Sequence, residues 1–184
     1  MKRIALVCLF LLLAAITPAF GQTPAPAPVP APAGYSTFSI TASVMNFSGQ
    51  GSTSAATDLG QAFAITNHFS LRADEILAPS ANAQVYLGGF KYFIPASKAL
   101  EKTNLNSETF QFYVTGGVGV DRVTLPTPPN TFKQHIAAAV GGGINYDPTN
   151  SGNFSLNLIE VRWARLPGFN QNAAIVSSGL KISF

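Results

Sequence analysis

Val176-Ser177-Ser178-Gly179-Leu180-Lys181-Ile182-Ser183-Phe184 alternates in character residue by residue. In a β-strand successive side chains point to opposite faces, so Val176, Leu180, Ile182 and Phe184 share one face, broken only by Ser178. Ser177, Gly179, Lys181 and Ser183 form the other. A slip of one residue would exchange the two faces. The register is therefore set by whatever surrounds the apolar face, and Lys181 has to point away from it.

The same period recurs back along the chain between Gly-, Asn-, Pro- and Ser-rich punctuation, and predicts eight strands. The first covers about 36–46, with Phe38, Ile40, Ala42 and Val44 on one face. The second, about 57–66, sets Leu59, Phe63 and Ile65 against Asp58, Gly60, Ala62 and Ala64. The third, about 69–76, sets Phe69, Leu71 and Ala73 against Ser70, Arg72 and Asp74. In the fourth, about 83–94, Gly88-Gly89 suggests a bulge and a change of parity, after which Phe90, Tyr92 and Ile94 face out and Lys91 in. The fifth (about 109–121) and sixth (about 132–146) alternate cleanly, and the seventh (about 154–165) changes parity near Leu158-Ile159, which turns Glu160 and Arg162 inward. Residues 95–108, with the run SKALEKT, read as a long turn holding one or two helical turns.

In a soluble sandwich the apolar faces pack on one another, whereas in a membrane barrel they meet lipid and the polar faces line the interior. The small residues on the polar faces (Gly60, Ala62, Ala64, Gly117, Gly119, Ala137, Gly141, Gly143, Gly179) suit a narrow lumen. Aromatic residues gather near strand ends, Phe47, Phe132 and Trp163 at one and Phe69, Phe110, Tyr146, Phe154 and Phe184 at the other, where interfacial girdles belong. An even strand count brings both termini to one side. The predicted fold is all-β: an eight-stranded antiparallel up-and-down transmembrane β-barrel over residues 35–184.

The opposite end of the chain agrees. Met1-Lys2-Arg3 precedes an apolar run from Ile4 to Ile16, and Ala19-Phe20-Gly21 places small residues before Gln22. The pattern predicts a cleavable signal peptide over residues 1–21; the apolar run falls short of the roughly 20 residues a transmembrane helix needs. The expectation is export to the bacterial outer membrane. Cys8, the single cysteine, leaves with this segment, so disulfide, thiol and thiolate-metal chemistry leave too. Of eleven Lys+Arg, Lys2 and Arg3 are also removed, leaving nine against eight Asp+Glu, a net of +1 that offers nucleic acid nothing. Residues 22–34, QTPAPAPVPAPAG, predict an extended polyproline II linker on the periplasmic side.

Polar Ser177, Gly179, hydrophobic Ile182 and terminal Phe184 resemble the C-terminal insertion signal of bacterial outer-membrane barrels, departing from it in having Ile182 where many carry a second aromatic. With the Gly-Val-Gly-Val and Gly-Gly-Gly-Ile-Asn-Tyr strands and the Glu160-Val161-Arg162-Trp163 segment, residues 35–184 resemble the small OmpA/OmpX-like outer-membrane barrels. The resemblance implies contact with outer-membrane lipids and the barrel-insertion machinery, and a lumen filled by ion pairs that limit conduction. The long 95–108 connection departs from the family, which prefers short periplasmic turns.

Charged residues make up only a tenth of the chain, so each inward charge needs a partner. Inward Asp58, Asp74, Asp121 and Glu160 nearly balance Arg72, Lys91, Lys133, Arg162 and Lys181. Arg72, Asp74, Lys91, Glu160, Arg162 and Lys181 are the candidate lumen cluster, while Asp58, Asp121 and Lys133 could equally be solvated near strand ends. No catalytic residue, metal ligand or cofactor site stands out. His135 is followed two residues on by Ala137, so the His-x-Ser pairing of lipid A deacylases is absent, and two unclustered histidines make no metal site. The glycine runs lie within strand patterns and lack a phosphate loop's lysine and helix. A structural or surface-interaction barrel is the leading reading, with loops near 49–56, 75–82, 122–131 and 166–171. A narrow channel, a lipid-modifying enzyme and a soluble lipocalin-like carrier follow.

Overall fold

The structure, a computed structural model, describes residues 34–48, 52–66, 68–94, 110–124, 132–148, 153–169 and 171–184. The expected signal peptide, almost all of the linker and the helical turns expected in 95–108 lie outside the described residues. Eight strands follow one another: β1 (Ser36–Phe47), β2 (Ser52–Ala64), β3 (Phe69–Ala78), β4 (Ala83–Phe93), β5 (Phe110–Thr124), β6 (Phe132–Tyr146), β7 (Phe154–Leu166) and β8 (Gln171–Ser183). Each pairs antiparallel with its neighbour, and β1 pairs with β8 to close a barrel in simple up-and-down order. At the seam Phe184 N–H donates to the Ser36 carbonyl and Ser36 N–H to the Phe184 carbonyl, both at 2.9 Å. Closure leaves no sheet edge with unpaired backbone groups, the condition for crossing hydrocarbon with strands.

The alternation expected for β8 is observed: Val176, Leu180, Ile182 and Phe184 are exposed on the outer wall, and Ser177 is buried inside. The parity change expected in β7 is also present. Register shifts at Asn157/Glu160 against β8 and at Ile144/Asn145 against β6, so Asn157 and Glu160 both face inward although three residues apart. This bulge delivers Glu160 and Arg162 to the lumen; without it their side chains would face outward.

Three expectations need correction. There is no parity change in β4: pairing runs unbroken through Gly88-Gly89, and Val85 and Leu87 point inward with Lys91. The glycines allow close approach instead, since a Cβ on Gly89 would meet the backbone of Gly116 and Gly117. Residues 52–56 and 77–78, expected in loops, belong to β2 and β3. Ser, Thr and Ala in the first stretch mute the contrast between faces, although Thr53 and Ala55 still alternate with inward Ser54 and Ala56. The β3–β4 connection is thereby reduced to a 3-10 turn, Pro79–Ala81, ended by Asn82 in the left-handed region (φ 50°). Lastly, Phe47 is buried inside rather than part of an outer girdle, whereas Trp163, Phe154 and Phe184 are exposed on the outer wall.

Phe47 belongs to an apolar interior layer that the alternation pattern did not separate from the polar one. Met45, Phe47, Ile76, Val85, Leu87, Leu166 and Ile175 fill the end of the lumen opposite the termini, with inward alanines between them. The interior is thus stratified along its axis: an apolar layer at one end, a charged belt in the middle and a polar vestibule at the end bearing the termini.

Candidate functional site: the charged belt across the lumen

Asp58 comes from β2, Arg72 and Asp74 from β3, and Glu160 and Arg162 from β7. In an eight-stranded barrel β3 and β7 stand on opposite walls, so ion pairs between them cross the lumen. Arg72 donates Nε to Asp74 Oδ1 at 2.7 Å and Nη1 to Glu160 Oε2 at 2.8 Å. Arg162 donates to Asp58 Oδ2 and, at 3.4 Å, to Asp74 Oδ2. Its Nε also lies 3.0 Å from Glu160 Oε1, an ionic contact whose direction is too oblique for a hydrogen bond. Tyr113 of β5 donates its hydroxyl to Glu160 Oε2 at 2.5 Å. Four walls are tied together through two guanidiniums, whose planar forks suit several carboxylates at once.

The belt is buried: Arg162 and Asp58 are 2 % exposed and Glu160 1 %. Cavities of about 30 and 10 Å³ flank it, the first towards the termini and the second between β3, β4, β5 and β6. These volumes admit a few water molecules at most, as a water needs roughly 10–15 Å³. Room for the guanidiniums comes from missing side chains on the neighbouring strands. A Cβ on Gly60 would come 2.8 Å from Asp74 Oδ1, and one on Gly141 would meet the Val161 carbonyl and stand 2.8 Å from Arg162 Cγ. Gly141→Ala is expected to lower stability by about 1–3 kcal/mol through overpacking. Denaturant unfolding in detergent checks it; an unchanged midpoint would mean the strands separate there without cost.

Of the candidate cluster, Arg72, Asp74, Glu160 and Arg162 meet in the belt. Lys91 and Lys181 point inward but meet rings rather than carboxylates. Lys91 Nζ lies 3.5 Å from the Tyr113 ring centroid and 5.3 Å from that of Phe93, and Lys181 Nζ lies 5.4 Å from that of Phe93. They sit one layer nearer the termini than the two arginines. Asp58 is a full member of the belt and not a solvated strand-end charge; its inward parity was the available signal. Tyr113, also inward by parity, was not marked because its phenol carries no charge.

Asp121 and His135 lie near the opposite end. The Asp121 carboxylate, fully buried, accepts the Gly168 N–H at 2.8 Å and stands 3.5 Å from His135 Nδ1. It fastens the short β7–β8 turn rather than being a solvated charge. Among the described residues no hydroxyl is hydrogen-bonded to the imidazole, and no group of His, Cys, Asp and Glu is arranged to hold a metal. The side chain of Lys133 lies outside the described residues.

Around the charged belt the barrel's outer wall is the reverse of its inside. Ile136 is 78 % exposed, Val118 66 % and Val140 62 %, while Arg162, Asp58 and Glu160 are buried inside. Each of the eight strands exposes at least one large apolar side chain, a spread of apolar surface that soluble monomers rarely show. The polypeptide is built for an apolar solvent.

It has the fold of the small outer-membrane β-barrels. The chain is similar to the N-terminal β-barrel domain of Pseudomonas aeruginosa OprF, at 12% identity and TM-score 0.58, with 83% of this chain and 98% of that one covered. It is also similar to Neisserial surface protein A (NspA), at 17% identity and TM-score 0.56, covering 82% and 96%. A de novo designed transmembrane β-barrel matches at 15% identity and TM-score 0.52, covering 85% and 100%. No protein-family model matches the chain, and no curated protein does.

Proposed function

We propose that this chain is a non-enzymatic barrel of the bacterial outer membrane that serves as a structural element of the envelope, its lumen closed by paired charged side chains. The observation that carries this reading is the belt of Asp58, Arg72, Asp74, Glu160 and Arg162, which spans the lumen from β3 to β7 and leaves only water-sized voids beside it. Behind it the Met45–Phe47–Ile76–Leu166 layer adds an apolar barrier. Ion conduction needs a continuous polar path, and a hydrophobic constriction interrupts one by dewetting.

Two connections at the end opposite the termini, Pro79–Ala81 and Pro167–Phe169, are single 3-10 turns. Those two described connections offer little surface for a protein partner. Lipid and the insertion machinery are the partners such a barrel requires, the latter through Gly179, Ile182 and Phe184. The outward faces of Ile182 and Phe184 at the seam would present that signal.

Planar-bilayer recordings of the refolded mature chain test the closed lumen. Wild-type protein should give no discrete openings beyond those of bare lipid. Steady conductance steps in every preparation would overturn the closed lumen and favour a narrow channel.

A further inference from the structure

We propose that the vestibule at the end bearing both termini binds one small inorganic anion of halide size, held by Lys91, Lys181 and Asn145. All three line the same cavity of about 30 Å³ between the charged belt and that end of the barrel. Among the described residues neither lysine has a carboxylate within ion-pair distance, although Lys91 is 8 % exposed. Both ammonium groups border the Phe93 ring, so two like charges face one small space. A ring face contributes roughly 0.5–2 kcal/mol to a cation, much less than removing an ammonium from water costs. A counterion would offset the remainder.

Asn145 supplies the second observation. It is fully buried, lines this cavity, and neither Nδ2 nor Oδ1 finds a hydrogen-bond partner in the protein. A buried amide with both ends unsatisfied is rare and costly. Its NH₂ group is a donor suited to an anion drawn in by the lysines, while its carbonyl can take a hydrating water or a lysine proton.

The remaining charges facing this space do not satisfy the lysines. Glu160 is engaged by Arg72, Arg162 and Tyr113, and Arg72 adds positive charge to the lining. Asp147 acts electrostatically on Lys181 and has further interactions of its own. The cavity's size separates a monatomic anion from a bulky organic one, which could reach no deeper than the mouth.

The mature chain, labelled with ¹⁵N-lysine and folded in a maltoside detergent, allows a direct test. Its ammonium resonances are followed while sodium chloride is titrated, against sodium gluconate at equal ionic strength. Lys91 and Lys181 should shift saturably with chloride and not with gluconate. In Asn145→Ala the half-saturating chloride concentration should rise about tenfold, and in Lys181→Met the Lys91 shift should lose saturation. Heat-modifiable gel migration first confirms that each variant is folded. Equal responses to the two salts, or non-saturating shifts like those of surface lysines, would overturn the site, and the wild-type comparison decides this without the variants. Bilayer conductance is a separate measurement, so failure of the anion site and failure of the closed lumen are told apart.

Discussion

Arg162→Met should lower the unfolding free energy by about 3–5 kcal/mol, the usual cost of removing one partner from a buried ion network. Wild type holds Asp58, Asp74 and Glu160 against Arg72 and Arg162, with Lys91 acting on Glu160 from farther away. Without Arg162, Asp58 keeps only Arg72 Nη2 at 3.8 Å, and three carboxylates share one guanidinium. Methionine matches much of the lost volume, so the effect reports charge more than a cavity. Adding Asp58→Asn removes the carboxylate that depended most on Arg162, and the double variant should recover part of the loss. Urea titrations in lipid vesicles, read by the shift between folded and unfolded gel bands, give both numbers. A change below about 1 kcal/mol in the single variant would indicate a solvated belt, since exposed pairs contribute no more than that. The belt would then not close the lumen, and only the apolar layer beyond it would still interrupt a water path.

The belt also shows how much could be read from the residues alone. Parity placed Arg72, Asp74, Lys91, Glu160, Arg162 and Lys181 on the inner face, and the bulge at Leu158-Ile159 was visible because Ile159-Glu160-Val161-Arg162-Trp163 alternates out of phase with Phe154-Ser155-Leu156-Asn157. Alternation reports direction and carries no information on height along the axis. It therefore could not tell that Lys91 and Lys181 lie a layer away from the arginines, since height depends on inter-strand register. Register pairs Arg72 with Gly89 and sets Lys91 opposite Ser70. The same limit hid the apolar layer. A change of parity at Gly88-Gly89 would have kept Val85 and Leu87 on the outer wall with Lys91 inside; instead all three face inward, since a narrow barrel can pack one end like an ordinary core. Strand ends at 52–56 and 77–78 were illegible for another reason: small or mixed residues there alternate too weakly to be told from a loop.

Val118→Arg should destabilise the barrel in a bilayer by about 2–4 kcal/mol, the cost of a basic side chain on the lipid face near the midplane. Val118 is on the outer wall in the middle of β5, opposite Gly88 on β4 and Ala138 on β6. Both neighbours are small, so no side chain there shields the guanidinium from acyl chains. Thr53→Arg is the matched control, on the same wall but at the first turn of β2, paired with Asn46. Near an interface the same charge costs roughly 0–1 kcal/mol. The difference between the two sites, measured as unfolding free energies in vesicles of one composition, isolates depth from the general effect of adding an arginine. Were this outer wall bathed in water, both substitutions would fall within about 0.5 kcal/mol of wild type, as surface changes usually do. That equality would remove the membrane from the account altogether: the buried carboxylates would then have to be the centre of an unusual soluble barrel, and the exposed Ile136, Val118 and Val140 would need a protein partner to cover them.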